Sequence, residues 1–243
     1  TLVSLMHINN EIGTILDIQK VAELCQANNV LFHSDTVQSV GHYHIDVKET
    51  PIDFLVASAH KFHGPKGVGF AFIRKNSGLK PLIIGGTQER GIRAGTESIH
   101  DIVGLDESLA LSYQFLEVEN TQVRDLKSYF ISELTTHIPG IKFNGACSDS
   151  KISTYTLVNL CLPVSATSAP MFLFQLDLKG IACSKGSACQ SGSGKGSHVL
   201  AEILKEEDMK RPSIRFSFSI YNTKKEVQSV VSILKELVNE ANS

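Results

Sequence analysis

Two apolar segments that run directly into polar residues constrain the fold of this 243-residue chain most strongly. Residues 30–32, Val-Leu-Phe, lead into His-Ser-Asp at 33–35, and residues 54–57, Phe-Leu-Val-Ala, lead into Ser-Ala-His-Lys at 58–61. Short continuous apolar runs are typical of strands buried on both faces of a parallel sheet. Because such sheets bind ligands outside the carboxyl ends of their strands, Asp35 and residues 58–61 are predicted to converge on one site.

Helix and turn signals around these segments predict an α/β fold for the first hundred residues. Asp17 can cap a helix with an apolar face at 18–25, which the Asn pair at 28–29 can end. Gly-Pro-Lys-Gly at 64–67 then turns the chain into a further strand-like run at 68–74. Alternating helices and strands of this kind favour a mainly parallel sheet.

The second half of the chain predicts a smaller α+β domain. Residues 75–98 are rich in Gly, Pro and charge, which predicts an irregular segment on a surface or at an interface. Thr223 and Glu226 form a capping box that predicts the start of a last helix. Helical or strand-like runs lie between these features at 102–137, 141–143, 154–160, 169–178 and 181–183. We therefore predict an α/β domain at 1–112 and a small α+β domain at 113–243.

The composition argues against several classes of protein. Hydrophobic residues make up 42% of the chain and charged residues 20%, and the formal net charge is -2, as in ordinary soluble globular proteins. This balance argues against a nucleic-acid or membrane partner held mainly by charge. No apolar run approaches the roughly 20 residues of a membrane-spanning helix. The N-terminal residues lack a basic leader and an apolar stretch, so we expect no signal peptide and a cytoplasmic location.

The cysteines point to chemistry rather than to cross-links. Cys25, Cys147, Cys161, Cys183 and Cys189 form no CxxC pair, which disfavours a disulfide framework and a structural zinc site. Cys183 has apolar neighbours, which favours a buried structural thiol. Cys189 lies in the Ser- and Gly-rich run SKGSACQSGSGKGS, which predicts an accessible thiol that a nearby cation could activate.

Lys61, Asp35 and Arg215 are the other candidates. Partial desolvation at the end of a buried strand would lower the pKa of Lys61 and let it attack a carbonyl group, although an ordinary solvated lysine is the alternative. Asp35 is an acid suited to pairing with a pyridinium nitrogen. Arg215 shares one side of a predicted strand with Ser213 and Ser217, which suits a bidentate grip on a carboxylate or a plain exposed position.

Six motifs follow one another along most of the chain. They are MHINNEIG at 6–13, HSDTVQSVG at 33–41, SAHKFHGPKG at 58–67, ERGIRAGTES at 89–98, SKGSACQSGS at 184–193 and SIRFSFS at 213–219. Together they resemble the cysteine desulfurases, pyridoxal 5'-phosphate (PLP) enzymes of the class V aminotransferase group, and the long loop around Cys189 resembles the NifS/IscS-like branch. The resemblance implies PLP-dependent transferase fold type I, with part of the large α/β domain followed by the small C-terminal domain.

The resemblance also implies a role for each motif residue. Lys61 would bind PLP covalently, Asp35 would keep its ring nitrogen protonated and Gln38 would bond its phenolic oxygen. The other implied contacts are Ser58 and His60 with the phosphate, Thr96 with the phosphate of a partner subunit, Asn10 with the ring and substrate, and Arg215 with the substrate carboxylate. Lys61, His60 and Cys189 would form the catalytic set, with Cys189 holding the transferred sulfur as a persulfide.

The implied reaction converts L-cysteine to L-alanine, with Lys61 removing the α-proton. The implied partners are a second copy of the chain and a sulfur acceptor such as an iron-sulfur scaffold or a tRNA-thiolation relay. A selenocysteine lyase or a class V aminotransferase is an alternative that would share Lys61, Asp35 and Arg215, although the aminotransferase needs no nucleophilic thiol.

A second alternative is an inactive, truncated chain with a docking or dimerisation role. The family's phosphate-binding turn and ring-stacking histidine, which precede MHINNEIG, cannot be located in this sequence. We therefore expect the first residues to lie in or beside a strand of the sheet, whose exposed edge favours self-association. The chain alone is expected to bind PLP poorly and to show little turnover.

Overall fold

The computed structural model describes most of the chain, at residues 1–165, 169–186 and 196–243. The chain packs into two compact units, the first made of Thr1–His7 with Leu16–Leu116 and the second of Ile8–Ile15 with Glu117–Ser243. The short segment Ile8–Ile15 thus belongs to a different unit from the residues on either side of it. The domain bounds predicted from the sequence remain a prediction.

A four-stranded sheet forms the centre of the first unit. Its strands are, in their order across the sheet, β1 (Leu2–Met6), β2 (Leu31–Asp35), β3 (Phe54–Ser58) and β4 (Gly69–Ile73). The first three strands are parallel, as predicted, and β4 runs antiparallel to β3. The first residues form the edge strand β1, which confirms the expectation that they lie in or beside a strand of the sheet.

Helix α1 (Ile18–Ala27) packs beside this sheet and confirms the capping prediction. The Asp17 carboxylate accepts a hydrogen bond from the backbone N–H of Lys20 at 3.1 Å. The helix ends at Ala27, and Asn29 follows it with a φ of +54°. Ala22 and Cys25 on its apolar face are buried in one cluster with Phe32 of β2.

The helical run predicted at 102–137 is two helices, α2 (Ile99–Gln114) and α3 (Leu116–His137), so the prediction of one long helix is wrong. The break falls at Phe115, which has non-helical φ/ψ angles of −105° and 9°. The apolar residues of α2 and those of α3 pack in different hydrophobic cores. Those of α2 pack against a cluster in the first unit, whereas those of α3 are buried in the second unit.

The second unit contains a three-stranded antiparallel sheet covered by helices. Its strands are β5 (Lys142–Phe143), β6 (Leu157–Cys161) and β7 (Ser213–Ser217), in that order, and its other helices are α4 (Ala169–Leu178), α5 (His198–Ile203), α6 (Glu206–Met209) and α7 (Lys224–Asn242). Every residue of the central strand β6 is buried. The predicted capping box of Thr223 and Glu226 is present at the start of α7.

No strand forms at 181–183, so that prediction is wrong. The backbone N–H of Ile181 is still bonded to Leu176 O of α4 at 3.0 Å, which keeps this stretch close to the helix end. In this stretch of the described chain, Ser184 pairs with β7 and exchanges backbone hydrogen bonds of 3.1 and 2.7 Å with Arg215.

Residues 75–98 are irregular and mostly exposed, as predicted, apart from one 3-10 turn at Gln88–Gly91. Several of their apolar side chains are exposed, Leu82 to 93% and Ile84 to 86%. Over the described ranges, no helix is both long enough and apolar enough to cross a lipid bilayer.

Candidate functional site

In the first unit, the predicted residues Asp35, Ser58 and Lys61 lie at the carboxyl ends of neighbouring parallel strands. Asp35, the last residue of β2, pairs with Val56 of β3, and Ser58 follows two residues later. The chain then makes a 3-10 turn, Ala59–Lys61. The predicted side-by-side ending of these two strands is confirmed, and it brings a carboxylate, a hydroxyl and an amine to one edge of the sheet.

The turn that follows β2 carries Gln38 and is held by buried contacts. Thr36 donates its hydroxyl hydrogen to Val56 O at 2.7 Å, which ties the turn to β3. A Cβ on Gly41 would lie only 2.5 Å from Cβ of Phe62, so this close approach requires a glycine. Gln38, half-buried, therefore sits on a turn whose backbone is fixed against the neighbouring strand and the segment after it.

Backbone contacts orient Asp35 and Lys61. The Val37 N–H donates to Asp35 Oδ1 at 3.0 Å, which fixes the rotation of this half-buried carboxylate. The Nε2 atom of His42 lies 2.9 Å from the backbone oxygen of Lys61. The residues His60 and Lys61 are exposed, and Thr96 lies in the exposed segment 75–98 of the same unit.

His7, a residue that the sequence reasoning did not single out, lies beside this edge. Its backbone N–H donates to Asp35 O at 2.9 Å, and its ring centroid lies 6.3 Å from that of Tyr43. Its Nδ1 atom is buried without a partner among the described residues. Burial lowers the pKa of His7 to about 4, against a weaker raising effect of Asp17, so the ring is neutral at neutral pH.

In the second unit, the NNEIG part of the first motif forms a tight turn. The Asn9 side-chain oxygen accepts hydrogen bonds from the backbone N–H groups of Glu11 at 2.9 Å and Ile12 at 3.0 Å. Gly13 closes the turn with a φ of +70°, a conformation that favours glycine. The turn fixes the backbone of Asn10 and Glu11 at its tip.

The structure brings Arg215 of β7 to this turn, where it joins the other predicted substrate residue, Asn10. The Arg215 Nη1 group donates to Asn10 O at 2.5 Å, across 205 positions of sequence. Its Nε atom is buried without a partner among the described residues. Burial lowers the pKa of Arg215, and the charge of Glu11 opposes this effect. The planar guanidinium suits a carboxylate.

Glu11 is a second residue that the sequence reasoning missed. It is fully buried, and its Oε2 atom accepts the hydroxyl hydrogen of Ser197 at 2.5 Å. Its Oε1 atom lacks a partner within the described ranges. The signal that could have identified it is its position beside Asn10 in the first motif. A glutamate among apolar and turn-forming residues is rarely buried unless another polar group pairs with it.

The cysteines differ in the reactivity that the structure allows. Cys183 is half-buried, and burial, with Asp177 as a lesser cause, raises the pKa of its thiol to about 11. At neutral pH it is protonated and a poor nucleophile. Cys147 and Cys161 are buried, and burial raises the pKa of both thiols. The predicted nucleophile Cys189 lies outside the described residues.

Within 1–165, 169–186 and 196–243, no group of three or more His, Cys, Asp or Glu side chains is arranged to hold a metal ion. The first unit presents an exposed amine at the sheet edge where the Asp35 carboxylate lies, and the second presents a guanidinium whose Nε atom has no partner among the described residues.

A model of the family described as "Aminotransferase class-V" matches residues 1–230. Among curated proteins, cysteine desulfurase IscS of Dictyoglomus turgidum is 38% identical over 239 residues, which make up 98% of this chain and 59% of that protein. Putative cysteine desulfurase IscS 1 of Bacillus subtilis is 40% identical over 238 residues, 98% of this chain and 62% of that protein. The chain thus spans about three-fifths of these relatives.

Solved structures show the same likeness. The NifS-like protein of Rickettsia africae superposes with a TM-score of 0.84 at 28% identity, over 98% of this chain and 62% of that one. SspA in complex with cysteine superposes with a TM-score of 0.71 at 31% identity, over 91% of this chain and 60% of that one.

Proposed function

This chain belongs to the aminotransferase class-V family, and from that membership we propose that it acts as a PLP-dependent cysteine desulfurase of the NifS/IscS-like kind. The predicted PLP-dependent transferase fold of type I is confirmed by the likeness to NifS-like structures. The observation that carries the proposal is the placement of Lys61 beside the strand that ends in Asp35. The substrate would be L-cysteine and the products L-alanine and an enzyme-bound sulfur.

The residues present at the strand ends fit PLP. The exposed Lys61 amine suits its aldehyde, Asp35 suits its ring nitrogen, and Ser58 with His60 suits its phosphate. Gln38 on the adjacent turn would contact the phenolic oxygen. When bound, PLP would supply an electron sink for the α-carbon of the substrate.

The remaining chemistry falls to side chains of the chain. Arg215, with Asn10 beside it, would grip the substrate carboxylate and so orient the α-carbon. Lys61 would remove the α-proton and return a proton as alanine forms. The thiolate of Cys189 would attack the substrate sulfur, forming a sulfur–sulfur bond as the carbon–sulfur bond breaks.

We further propose a homodimer that acts in the cytoplasm and passes its sulfur to an acceptor protein such as an iron-sulfur scaffold. The exposed apolar side chains of residues 75–98, with Ile99 and Val103 at the start of α2, support a subunit interface here. In that dimer Thr96 would reach the phosphate bound by the partner subunit.

The test of this proposal is chemical labelling followed by a turnover assay. Borohydride reduction of the protein with PLP should leave a pyridoxyl mass on Lys61, and cysteine should yield equal amounts of alanine and Cys189 persulfide. Both measurements are made on this chain and on an extended chain, defined as this chain preceded by the N-terminal part of the Dictyoglomus turgidum relative. A label on another lysine in both proteins, or no alanine from either, would contradict the proposal. Assays with selenocysteine in place of cysteine separate the lyase alternative.

The alternative docking or self-association role is favoured by strand β1. This strand pairs only with β2 in the described sheet, and its Leu2 and Leu5 are 54% and 43% exposed. An exposed apolar strand edge promotes association. If this alternative holds, the 243-residue chain sediments as a larger species than a dimer and takes up no PLP. A yellow protein that carries a pyridoxyl label on Lys61 after borohydride reduction would contradict it.

A further inference from the structure

The buried carboxylate of Glu11 lies where the two ends of the Cys189 segment come together. Ser197, which follows this segment, donates its hydroxyl hydrogen to Glu11 Oε2 at 2.5 Å. Gly186, which precedes it, lies so that a Cβ built on it would be 3.5 Å from Glu11 Oε2 and 3.5 Å from Cβ of Ser197. One carboxylate oxygen is therefore close to both ends of the segment.

Ser197 transmits this contact to the backbone. Its hydroxyl oxygen accepts the Leu200 N–H at 3.0 Å and so caps helix α5 while it donates to Glu11. The position of the helix start thus depends on a chain of two hydrogen bonds that begins at Glu11.

The other end of the segment is connected to the substrate arginine. Ser184 and Arg215 exchange two backbone hydrogen bonds, and the Arg215 side chain donates to Asn10 O, next to Glu11 in the same turn. Burial lowers the pKa of the Arg215 guanidinium, and the negative charge of Glu11 counteracts this effect. A buried carboxylate without such compensation would destabilise the fold.

We propose that Glu11 is a positioning residue: through Ser197 it holds the start of helix α5, which follows the Cys189 segment, against the turn that carries Asn10, and this anchor is needed for fast sulfur transfer to Cys189. The inference rests on the proposed function for its catalytic consequence, although the anchoring itself does not depend on it. Misplacing a reacting group by about 1 Å can cost on the order of a hundredfold in rate.

Hydrogen exchange tests the anchor without requiring turnover. In Glu11→Ala, the Leu200 amide should exchange roughly tenfold faster, as expected when one charge-assisted hydrogen bond is lost. Glu11→Gln keeps an oxygen that can accept from Ser197 and should stay near the wild-type rate. Glu119→Ala removes another buried glutamate of the same unit, on α3, and serves as the matched control. Wild-type exchange in Glu11→Ala, or equal loosening in Glu119→Ala, would overturn the anchor.

A kinetic comparison in the PLP-loaded extended chain tests the consequence. Glu11→Ala should slow persulfide formation on Cys189 by roughly tenfold to a hundredfold, with KM for cysteine and the cysteine-induced absorbance change nearly unaltered. Glu11→Gln should restore most of the rate. Adding Ser197→Ala to Glu11→Ala should slow the reaction little further, because both changes remove the same hydrogen bond between Glu11 and Ser197.

The two proposals fail in different ways. Equal slowing in Glu11→Ala and Glu11→Gln, or a rise in KM without loss of kcat, would overturn the positioning role while leaving the desulfurase in place. If the wild-type extended chain releases no alanine, the proposed function fails, and the exchange of the Leu200 amide still decides whether Glu11 holds the start of α5.

Discussion

The two clusters of candidate residues are assembled by different physical means. In the first unit, Asp35 and Lys61 lie 26 positions apart in sequence, and the backbone register of two parallel strands brings them to one edge. In the second unit, Asn10 and Arg215 lie 205 positions apart and meet through a side-chain to backbone hydrogen bond. Residues placed by sheet register can be located from local patterns, whereas residues placed by long-range packing cannot.

The comparison predicts that changes at the strand ends affect cofactor binding, whereas changes in the second cluster affect the substrate and the sulfur. The largest effect is expected from Lys61→Ala in the extended chain, which should abolish both the borohydride label and turnover, because this change removes the amine that would bind PLP. Lys66→Ala, an exposed lysine five residues later, is the control and should keep both. Alanine release by Lys61→Ala would remove this residue from the catalytic set.

Cys189→Ala should retain PLP and bind cysteine while forming no persulfide, since the sulfur has no acceptor thiol. Cys183→Ala should keep most activity, because burial holds the pKa of the Cys183 thiol at about 11 and the thiol stays protonated at neutral pH. Mass spectrometry of the non-reduced protein after one turnover identifies the modified cysteine. A persulfide found on Cys183 would contradict the choice of Cys189 as the nucleophile.

Arg215→Lys tests the second cluster, and its expected effect is smaller than that of the two changes above. A lysine can neither reproduce the planar fork nor keep the bond to Asn10 O, so KM for cysteine should rise by roughly tenfold to a hundredfold while PLP content stays unchanged. Arg211→Lys, at another arginine of the second unit, should leave KM near the wild-type value. If Arg215→Lys also lost PLP, Arg215 would have a structural role. The prediction that the second cluster affects the substrate and not the cofactor would then be wrong.

The smallest effect concerns the pH dependence of stability in the first unit. The pKa of His7 is about 4 in the folded chain against an ordinary 6.5, so in this window the unfolded chain binds a proton that the folded chain does not. The free energy of unfolding should therefore fall with falling pH, by roughly 1 kcal/mol between about pH 7.5 and about pH 5.5. Denaturant titrations of wild type and His7→Gln measure the difference. His44→Gln, at an exposed histidine, should keep the wild-type slope.

The fold of the first unit could be predicted further than that of the second. The capped helix α1, the parallel strands and the irregular segment at 75–98 all follow from local patterns, because each depends on neighbours in sequence. The break at Phe115 could not be predicted, because the pattern on both sides of it remains helical and only the two separate cores require a bend. The strand predicted at 181–183 does not form, because the backbone N–H of Ile181 is hydrogen-bonded to Leu176 O at the end of α4.

The sequence by itself determined which chemistry is available. The amino-acid sequence alone contains the six ordered motifs, the apolar runs that precede Asp35 and Lys61, and the alternating pattern around Arg215. Only the tertiary structure decided that Ile8–Ile15 packs with the second unit, that Arg215 contacts Asn10, and that Glu11 is buried against Ser197. The physical reason is that hydrophobic periodicity is a local property, whereas the burial and partner of a single polar side chain depend on residues that folding brings from elsewhere in the chain.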